Sequence, residues 1–451
     1  MAVAAGAQGR GPRCRSGGIA DFTRADVAHL LRRAGFGGTK AEIDALMTRA
    51  SWAAVVDRVL DTSANPPDTI PAAVDVDTDA KYYEAWVAAV HYWMDRMATT
   101  PTPIVEKMAL FWHGHLTSST EGPLPRLVFR QIKTWRAKGL GDVHDLMQAM
   151  AVDPAMLDYL DNDENVAARP NENFAREVME LFTMGNRTFA ESDVVAMARA
   201  WSGHGTADDG ATYVFRPGDH DNGTKTLFGI SRNWDGPATI TEIVRGSKQQ
   251  VCASHLAAKI WSFFAYPNPS PALVAELASS LIAGGMDVKA FLRVVFLRPE
   301  FRAAATRTAL VRSPIEWMVA TMRSVGMTAG ELHPEWWMSR LGQTLYQPPN
   351  VSGWRQNGAW ISSSAQWGKG SYAGWVRWQA SDRGVFAGLE DQAPAVVVQA
   401  AFDRFGIDAP AASTRQQLEA FVAREQAARR SWAVRPGLVA LTMLSPDFQL
   451  A

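Results

Sequence analysis

The chain has 451 residues, of which 47% are hydrophobic and 20% charged, the composition of an ordinary globular protein. Its 45 Lys and Arg residues almost balance 46 Asp and Glu residues, and the formal net charge is −1. No global field therefore favours nucleic acid or an anionic membrane surface, and no run approaches the roughly 18 apolar residues that span a bilayer.

The first 20 residues are small, basic and glycine-rich, which predicts a disordered N-terminal tail. They lack the apolar stretch of a secretory signal and the paired arginines of a twin-arginine signal. A cytoplasmic location is therefore the default expectation, with another export route left open. The two cysteines, Cys14 and Cys252, lie far apart, so no disulfide framework is expected.

Residues 21–451 are predicted to form one large, mainly α-helical domain, because apolar residues recur at helical spacing along most of the chain. Two internal halves, about 21–265 and 266–451, are an alternative division. The predicted helices are Arg24–Ala34, Lys40–Thr48, Ser51–Leu60, Lys81–Ala98, Ile104–Leu116, Arg126–Ala137, Val143–Met150, Asn173–Thr183, Ser192–Trp201, Gln250–Phe264, Ser270–Ala283, Val288–Leu297, Pro314–Val325, Gly330–Leu341, Ala395–Phe405, Thr414–Arg430 and Pro436–Leu444.

Two kinds of segment interrupt the helices. The segment Thr212–Gly229 contains Asn222-Gly223, a turn-forming pair, and predicts a small β-hairpin insertion near His220. The segment from Gln347 to Trp360 alternates proline, glycine and tryptophan, so it is predicted to be a packed or ligand-facing loop.

The predicted helix from residue 173 has an unusually polar face. At 100° per residue, one stripe contains Asn173, Arg176, Glu177 and Glu180. Two carboxylates three residues apart can share a cation, and Arg176 and Glu180 are spaced for an ion pair. Periodicity alone favours a solvated face. The histidine-bearing helix end described next favours a buried stripe that belongs to a site.

His113 and His115 stand at the end of an apolar helix. Because they are two residues apart, they cannot share one helical face, yet both could reach a metal where the helix ends near Gly114. Imidazoles with Glu177 and Glu180 would suit zinc, iron or manganese better than calcium. The alternative is that each histidine only caps the helix or bonds a backbone carbonyl. No spacing here matches HExxH or a CxxC knuckle.

Weaker signals complete the candidate site. His220-Asp221 pairs an imidazole with a carboxylate, although adjacent residues in a strand point to opposite faces. Trp354 and Trp360 could stack on sugar rings, although core packing is commoner for tryptophan in helical proteins. No GxSxG elbow, Walker loop or GxGxxG motif is present.

Several motifs in order resemble the bacterial family called domain of unknown function 1800, over nearly the whole chain. They are HLLRRAGFG from His29, FWHGHLTSS from Phe111, LDNDEN from Leu160, NENFAREVMELFTMG from Asn171, ARAWSGHG from Ala198, HDNGTKTLFG from His220, QPPNVSGW from Gln347 and SPDFQLA from Ser445. The resemblance implies little about mechanism. It implies that some members act beside a partner of phosphatase- or sulfatase-like fold, in a secreted or polysaccharide-related role. Ser202-Gly203-His204 departs from the Thr-Gly-Trp expected there, so His204 is a poor candidate for a shared ligand.

The sequence therefore predicts a metal-dependent, hydrolase-like enzyme that acts on a carbohydrate, another polar polymer or a small molecule. The predicted metal ligands are His113, His115, Glu177 and Glu180. The predicted catalytic residues are Glu177, Glu180, Arg176, His220 and Asp221, and the predicted substrate contacts are Asn173, Trp354 and Trp360. The alternative is a non-catalytic helical scaffold or maturation partner, in which the polar stripe is a hydrogen-bond network that joins helices.

Overall fold

The computed structural model describes residues 21–69, 71–74, 82–120 and 125–451. The predicted tail, with Cys14, lies outside these residues. The described chain contains the helices α1 Arg24–Arg33, α2 Lys40–Met47, α3 Trp52–Val59, α4 Tyr82–Thr99, α5 Pro103–His115, α6 Pro125–Lys138, α7 Val143–Ala151, α8 Pro154–Tyr159, α9 Asn173–Glu177, α10 Glu191–Ala200, α11 Gly236–Arg245 and α12 Gln249–Phe264. It continues with α13 Pro271–Ala283, α14 Val288–Leu297, α15 Pro299–Arg302, α16 Pro314–Val325, α17 Ala329–Leu332, α18 Met338–Leu341, α19 Ser363–Asp382, α20 Pro394–Phe405, α21 Ala412–Ala427, α22 Val434–Leu444 and α23 Pro446–Gln449.

The mainly α-helical fold confirms the class predicted from periodicity. Many helices begin where the local sequence supplies a cap. Thr23, for example, accepts a hydrogen bond from the backbone of Asp26, whose side chain bonds back to Thr23, a reciprocal capping box. Within the described residues, no helix is long and apolar enough to cross a membrane.

Five helices were not predicted, namely α8, α11, α15, α23 and α19. The last is 20 residues long but contains Gly368, Gly370 and Gly374, which lower helix propensity. Tertiary packing against α22 stabilises it instead. The single helix predicted over Gly330–Leu341 is wrong, because His333 adopts a left-handed conformation (φ 46°) before Pro334 and separates α17 from α18.

The β structure comprises two short antiparallel hairpins. Strands β1 His204–Thr206 and β2 Tyr213–Phe215 form the first, and β3 Lys225–Leu227 and β4 Ile230–Arg232 form the second. The turn of the second hairpin is Phe228-Gly229, with φ of 51° and 80°, as a two-residue hairpin turn requires. A hairpin insertion is therefore confirmed, whereas the turn predicted at Asn222-Gly223 lies between the hairpins.

The polar helix predicted over residues 173–183 changes its hydrogen-bond pattern halfway. It is α-helical over Asn173–Glu177 (α9) and π-helical over Val178–Thr183. The wider π turn rotates the side chains that follow it, so α-helical periodicity misplaces them. π-Helical segments are rare and often lie at functional sites.

Helix α5 runs through the interior and is held by a buried carboxylate. Glu106 is fully buried and accepts hydrogen bonds from Trp93 (2.9 Å), Arg96 (2.8 Å) and Arg136 (2.8 Å). Arg136 also donates to Asp68 (2.8 Å). This network ties α4 and α6 to α5, which carries the residues of the site described below.

Candidate functional site

The predicted polar stripe is partly exposed rather than buried. Arg176 bonds Glu191 (2.7 Å) and Glu172 (3.1 Å), so the ion pair predicted with Glu180 is wrong. Burial and then the charge of Glu180 raise the pKa of the half-buried Glu177. Neither glutamate lines the central cavity described below.

Asn173 of the same stripe is engaged with the acidic loop that precedes it. Its side-chain amide donates to Asp161 Oδ2 at 3.2 Å, and its backbone N–H donates to Asn171 Oδ1 at 3.0 Å. Asn173 therefore fixes the start of α9 in this structure.

His113 is enclosed by aromatic rings. Its ring centroid lies 5.0 to 5.6 Å from those of Trp93, Trp135, Tyr346 and Trp354. The Tyr346 backbone N–H donates to its Nε2 at 2.9 Å, which occupies that nitrogen's lone pair and leaves the proton on Nδ1. Burial lowers the pKa of His113 to about 3, so the ring is neutral.

His115 leaves the end of α5 in another direction and bonds the π-helical segment. Its Nε2 lies 2.9 Å from Phe182 O, and His255 of α12 makes the same contact with Leu181 O at 2.9 Å. The last carbonyls of a helix lack partners within it, so the two imidazoles cap this end. Burial lowers the pKa of His115 to about 3 and that of His255 to about 4.

The four predicted metal ligands are not brought together. Among the residues that the structure describes, they do not form a group of three donors close enough for one ion. The cause is the direction of the two histidines, since His113 points to Tyr346 and His115 to the π-helical carbonyls.

His220 and Asp221 also point apart. His220 Nδ1 contacts Ser202 O at 2.9 Å, whereas the Asp221 carboxylate pairs with Arg199 at 2.6 Å. The hydrogen bonds from Arg199, opposed by slight burial, lower the pKa of Asp221. Both residues hold the connection between the two hairpins.

The two tryptophans predicted as substrate contacts lie in different surroundings. Trp360 is buried, and its carbonyl accepts a hydrogen bond from Lys369 at 3.2 Å. Trp354 lines the central cavity. The loop of residues 347–356, called the Trp354 loop, packs on α5 at Gly353 (φ 73°). A Cβ atom there would lie 2.3 Å from Gly114 O, so only glycine fits without displacement.

A central cavity of about 580 Å³ lies between α5 and α12, under the Trp354 loop. Its walls follow helical spacing. Helix α5 contributes Lys107, Phe111, Gly114 and His115, and α12 contributes His255, Ala258, Lys259, Ser262 and Phe263. Lys107 and His115 are eight residues apart, or about 12 Å along the axis. The volume is typical of a small-molecule site.

The charged side chains at one end of this cavity include more cations than carboxylates. Arg33, Lys107 and Glu316 line it, and Lys107 forms an ion pair with Glu316. Burial would raise the pKa of Glu316, but the charge and hydrogen bond of Lys107 outweigh it and lower that pKa. The buried Arg312 lies nearby, and burial lowers its pKa to about 9.

Arg33 has two buried nitrogen atoms without a hydrogen-bond partner among the described residues. It is 2% exposed and donates through Nη2 to Thr306 O at 2.6 Å. Its Nε and Nη1 have no hydrogen-bond partner among the described residues, and no carboxylate pairs with it there. Burial and then the charge of Arg32 lower the pKa of Arg33.

A separate group of three residues is arranged for a metal. His91, His333 and Glu335 each offer a donor atom, and these atoms lie within 4.8 Å of one another. This group was not predicted from sequence patterns, because His91 and Glu335 are 244 residues apart.

Comparison with known proteins identifies the family alone. No curated protein and no solved structure matches the chain. The family model described as "Protein of unknown function (DUF1800)" matches residues 29–450, which contain both the central cavity and the His91 group. The chain therefore belongs to the DUF1800 family of proteins of unknown function.

Proposed function

We propose that this protein binds a small anionic molecule in the central cavity. The observation that carries the proposal is Arg33, a buried cation that lines the cavity and whose Nε and Nη1 lack partners within the described chain. Buried charges in proteins are normally paired, because removing an ion from water costs several kcal/mol. A bound anion would supply the missing acceptor.

The surrounding charges support the same ligand class. Lys107 and Lys259 also line the cavity, and the Glu316 side chain in its lining is already paired with Lys107. Guanidinium groups bind carboxylate and phosphate through parallel hydrogen bonds. The charged part of the ligand is therefore a carboxylate, phosphate or sulfate group that binds beside Arg33.

The rest of the lining indicates that the ligand has an apolar or ring-containing part. Leu110, Phe111, Phe263 and Trp354 form apolar walls, and Ser262 and Gln343 are among the polar groups that could orient a ligand. Mostly apolar pockets with a few placed polar groups are typical of small-molecule sites.

The metal-dependent hydrolase predicted from the sequence stays a prediction, and so does the scaffold alternative. The ligand proposal differs from both in the residues that it needs, which are Arg33 and Lys107 rather than Glu177 and Glu180. Binding of an anion would separate this function from a purely structural role.

A thermal-shift series on the full chain tests the proposal. The probes are inorganic phosphate, sulfate and succinate, compared with glycerol and with sodium chloride at matched ionic strength. A ligand that binds only the folded state raises its stability by about 2.7 kcal/mol at 100 times Kd. We expect a saturable rise in the melting temperature with at least one anion and no rise with glycerol.

Variants show whether the effect arises in the cavity. Lys259→Gln removes a cation that lines the cavity, and Lys40→Gln makes the same change at an exposed residue outside it. We expect the first to weaken the anion effect about tenfold, equivalent to 1.4 kcal/mol, and the second to leave it unchanged. If sodium chloride raised the melting temperature as much as the anion does, or if the anion effect were equal in the two variants, the proposal would be contradicted.

A further inference from the structure

The group His91, His333 and Glu335 lies outside the central cavity and joins two distant parts of the chain. His91 is on α4, and the other two residues flank Pro334 in the short turn between α17 and α18. His91 Nε2 lies 2.7 Å from Glu335 Oε2, and His333 Nδ1 lies 3.0 Å from Glu335 Oε1. The carboxylate therefore stands between two imidazole nitrogens.

No Lys or Arg side chain within the described residues pairs with the carboxylate of this group. The Glu335 side chain is only 3% exposed, and its side-chain partners within the described residues are the two histidines. Asp95, one turn beyond His91 on α4, accepts a hydrogen bond from the Ala329 backbone (2.7 Å) and also has no Lys or Arg partner within the described residues. A cation at the group would offset this negative charge.

The backbone and a stacked ring hold His333 in place. The residue has φ 46°, in the left-handed region, where histidine occurs more often than most residues other than glycine. Its ring is parallel to that of Trp336, with centroids 4.0 Å apart and an interplanar angle of 3°. The imidazole is therefore oriented before any ligand binds.

We propose that His91, His333 and Glu335 form a binding site for a zinc-class divalent ion. Two histidines and a glutamate are a known zinc ligand set, and they leave the fourth tetrahedral position to water. Zn–N and Zn–O bonds of about 2.0–2.2 Å place neighbouring donors about 3.3 Å apart. The observed contacts of 2.7 and 3.0 Å, each to a different oxygen of Glu335, would widen by about 0.6 and 0.3 Å, and the donors that lie farthest apart, within 4.8 Å of one another, would move closer.

The site is accessible from solvent. The side chains of His91 and His333 are 23% and 33% exposed, and Trp336 beside them is 50% exposed. An ion and its water ligand can therefore enter without opening the core. This site is independent of the anion-binding cavity, because none of its three ligands lines that cavity.

Metal titration of the full chain tests the site. The protein is stripped with a chelator and titrated with Zn²⁺ in competition with a chromophoric chelator, and with Co²⁺ to read its visible spectrum. We expect one tight equivalent of Zn²⁺ and the intense absorption of four-coordinate Co²⁺. Less than one equivalent, or the weak spectrum of six-coordinate Co²⁺, would overturn the proposal.

Substitutions assign the ligands. His333→Ala and Glu335→Gln should weaken Zn²⁺ binding about 100-fold or more. Loss of a residue that only hydrogen-bonds a metal ligand weakens metal binding by about 10- to 100-fold, and loss of a ligand itself should cost at least as much. His144→Ala is the matched control, because His144 also lies beside a carboxylate, Asp145, at 3.4 Å. Glu331→Gln is the control for the glutamate. Circular dichroism checks that each variant is folded, and unchanged affinity in folded His333→Ala or Glu335→Gln protein would refute the assignment.

Discussion

Substitution of Glu106 by glutamine tests whether the buried carboxylate network holds α5. The fully buried Glu106 accepts hydrogen bonds from three residues, two of which are Arg96 and Arg136. Glutamine keeps the size but removes the negative charge, and its amide hydrogens face other donors. Loss of one partner from a buried ion pair costs about 3–5 kcal/mol. Asp68 still balances Arg136, so we expect the lower end of that range.

The measurement is the free energy of unfolding in urea, followed by circular dichroism and tryptophan fluorescence. Glu276→Gln is the matched control, because Glu276 is 62% exposed and pairs with Arg298 at 2.8 Å. An exposed pair is worth about 0–1 kcal/mol. A loss at Glu106 no larger than that at Glu276 would refute the role of the network.

Three further predictions concern the site and its surroundings. Burial lowers the pKa of His255 from 6.5 to about 4, so the unfolded chain binds a proton at this residue more readily than the folded chain does. The free energy of unfolding should therefore fall as pH falls from 6.5 towards 4. This fall should be shallower in His255→Gln, and equal pH profiles of the unfolding free energy in the two proteins would contradict the prediction. Gly353→Ala should lower the melting temperature, because the added Cβ would lie 2.3 Å from Gly114 O. Gly358→Ala should leave it unchanged, because a Cβ there meets open space. Similar melting temperatures of the two variants would refute the packing argument. Arg176→Ala should cost no more than about 1 kcal/mol in urea unfolding, because its ion pairs are exposed, and a larger loss would mean that the stripe is buried.

Local sequence patterns predicted most helices, because apolar spacing and caps act within a few residues. They missed α19, whose glycines oppose helix formation and whose stability comes from α22, far along the chain. They also missed the π-helical turn at Val178–Thr183, because an α-helical period was assumed there. The same assumption predicted an ion pair between Arg176 and Glu180, although Arg176 bonds Glu191 and Glu172 instead.

The candidate site was predicted only in part. His115 and Trp354 were chosen from the sequence and do line the central cavity. Arg33, Lys107 and Glu316 were not chosen, because the sequence pattern of a helix does not distinguish a single buried charged residue from a solvent-exposed one. Lys107 and Glu316 are 209 residues apart, so their pairing exists only in the folded chain. Burial, rather than residue type, makes these charges unusual.

Isothermal titration calorimetry of inorganic phosphate into the full chain measures directly whether the cavity binds an anion. We expect binding near one equivalent in the wild-type protein, loss of that binding in Arg33→Met, and a weaker but measurable signal in Lys259→Gln. Succinate and sulfate titrated in the same way identify which anionic group fits best. If none of the three anions binds, or if Arg33→Met and Lys259→Gln bind as the wild type does, the cavity is not an anion site.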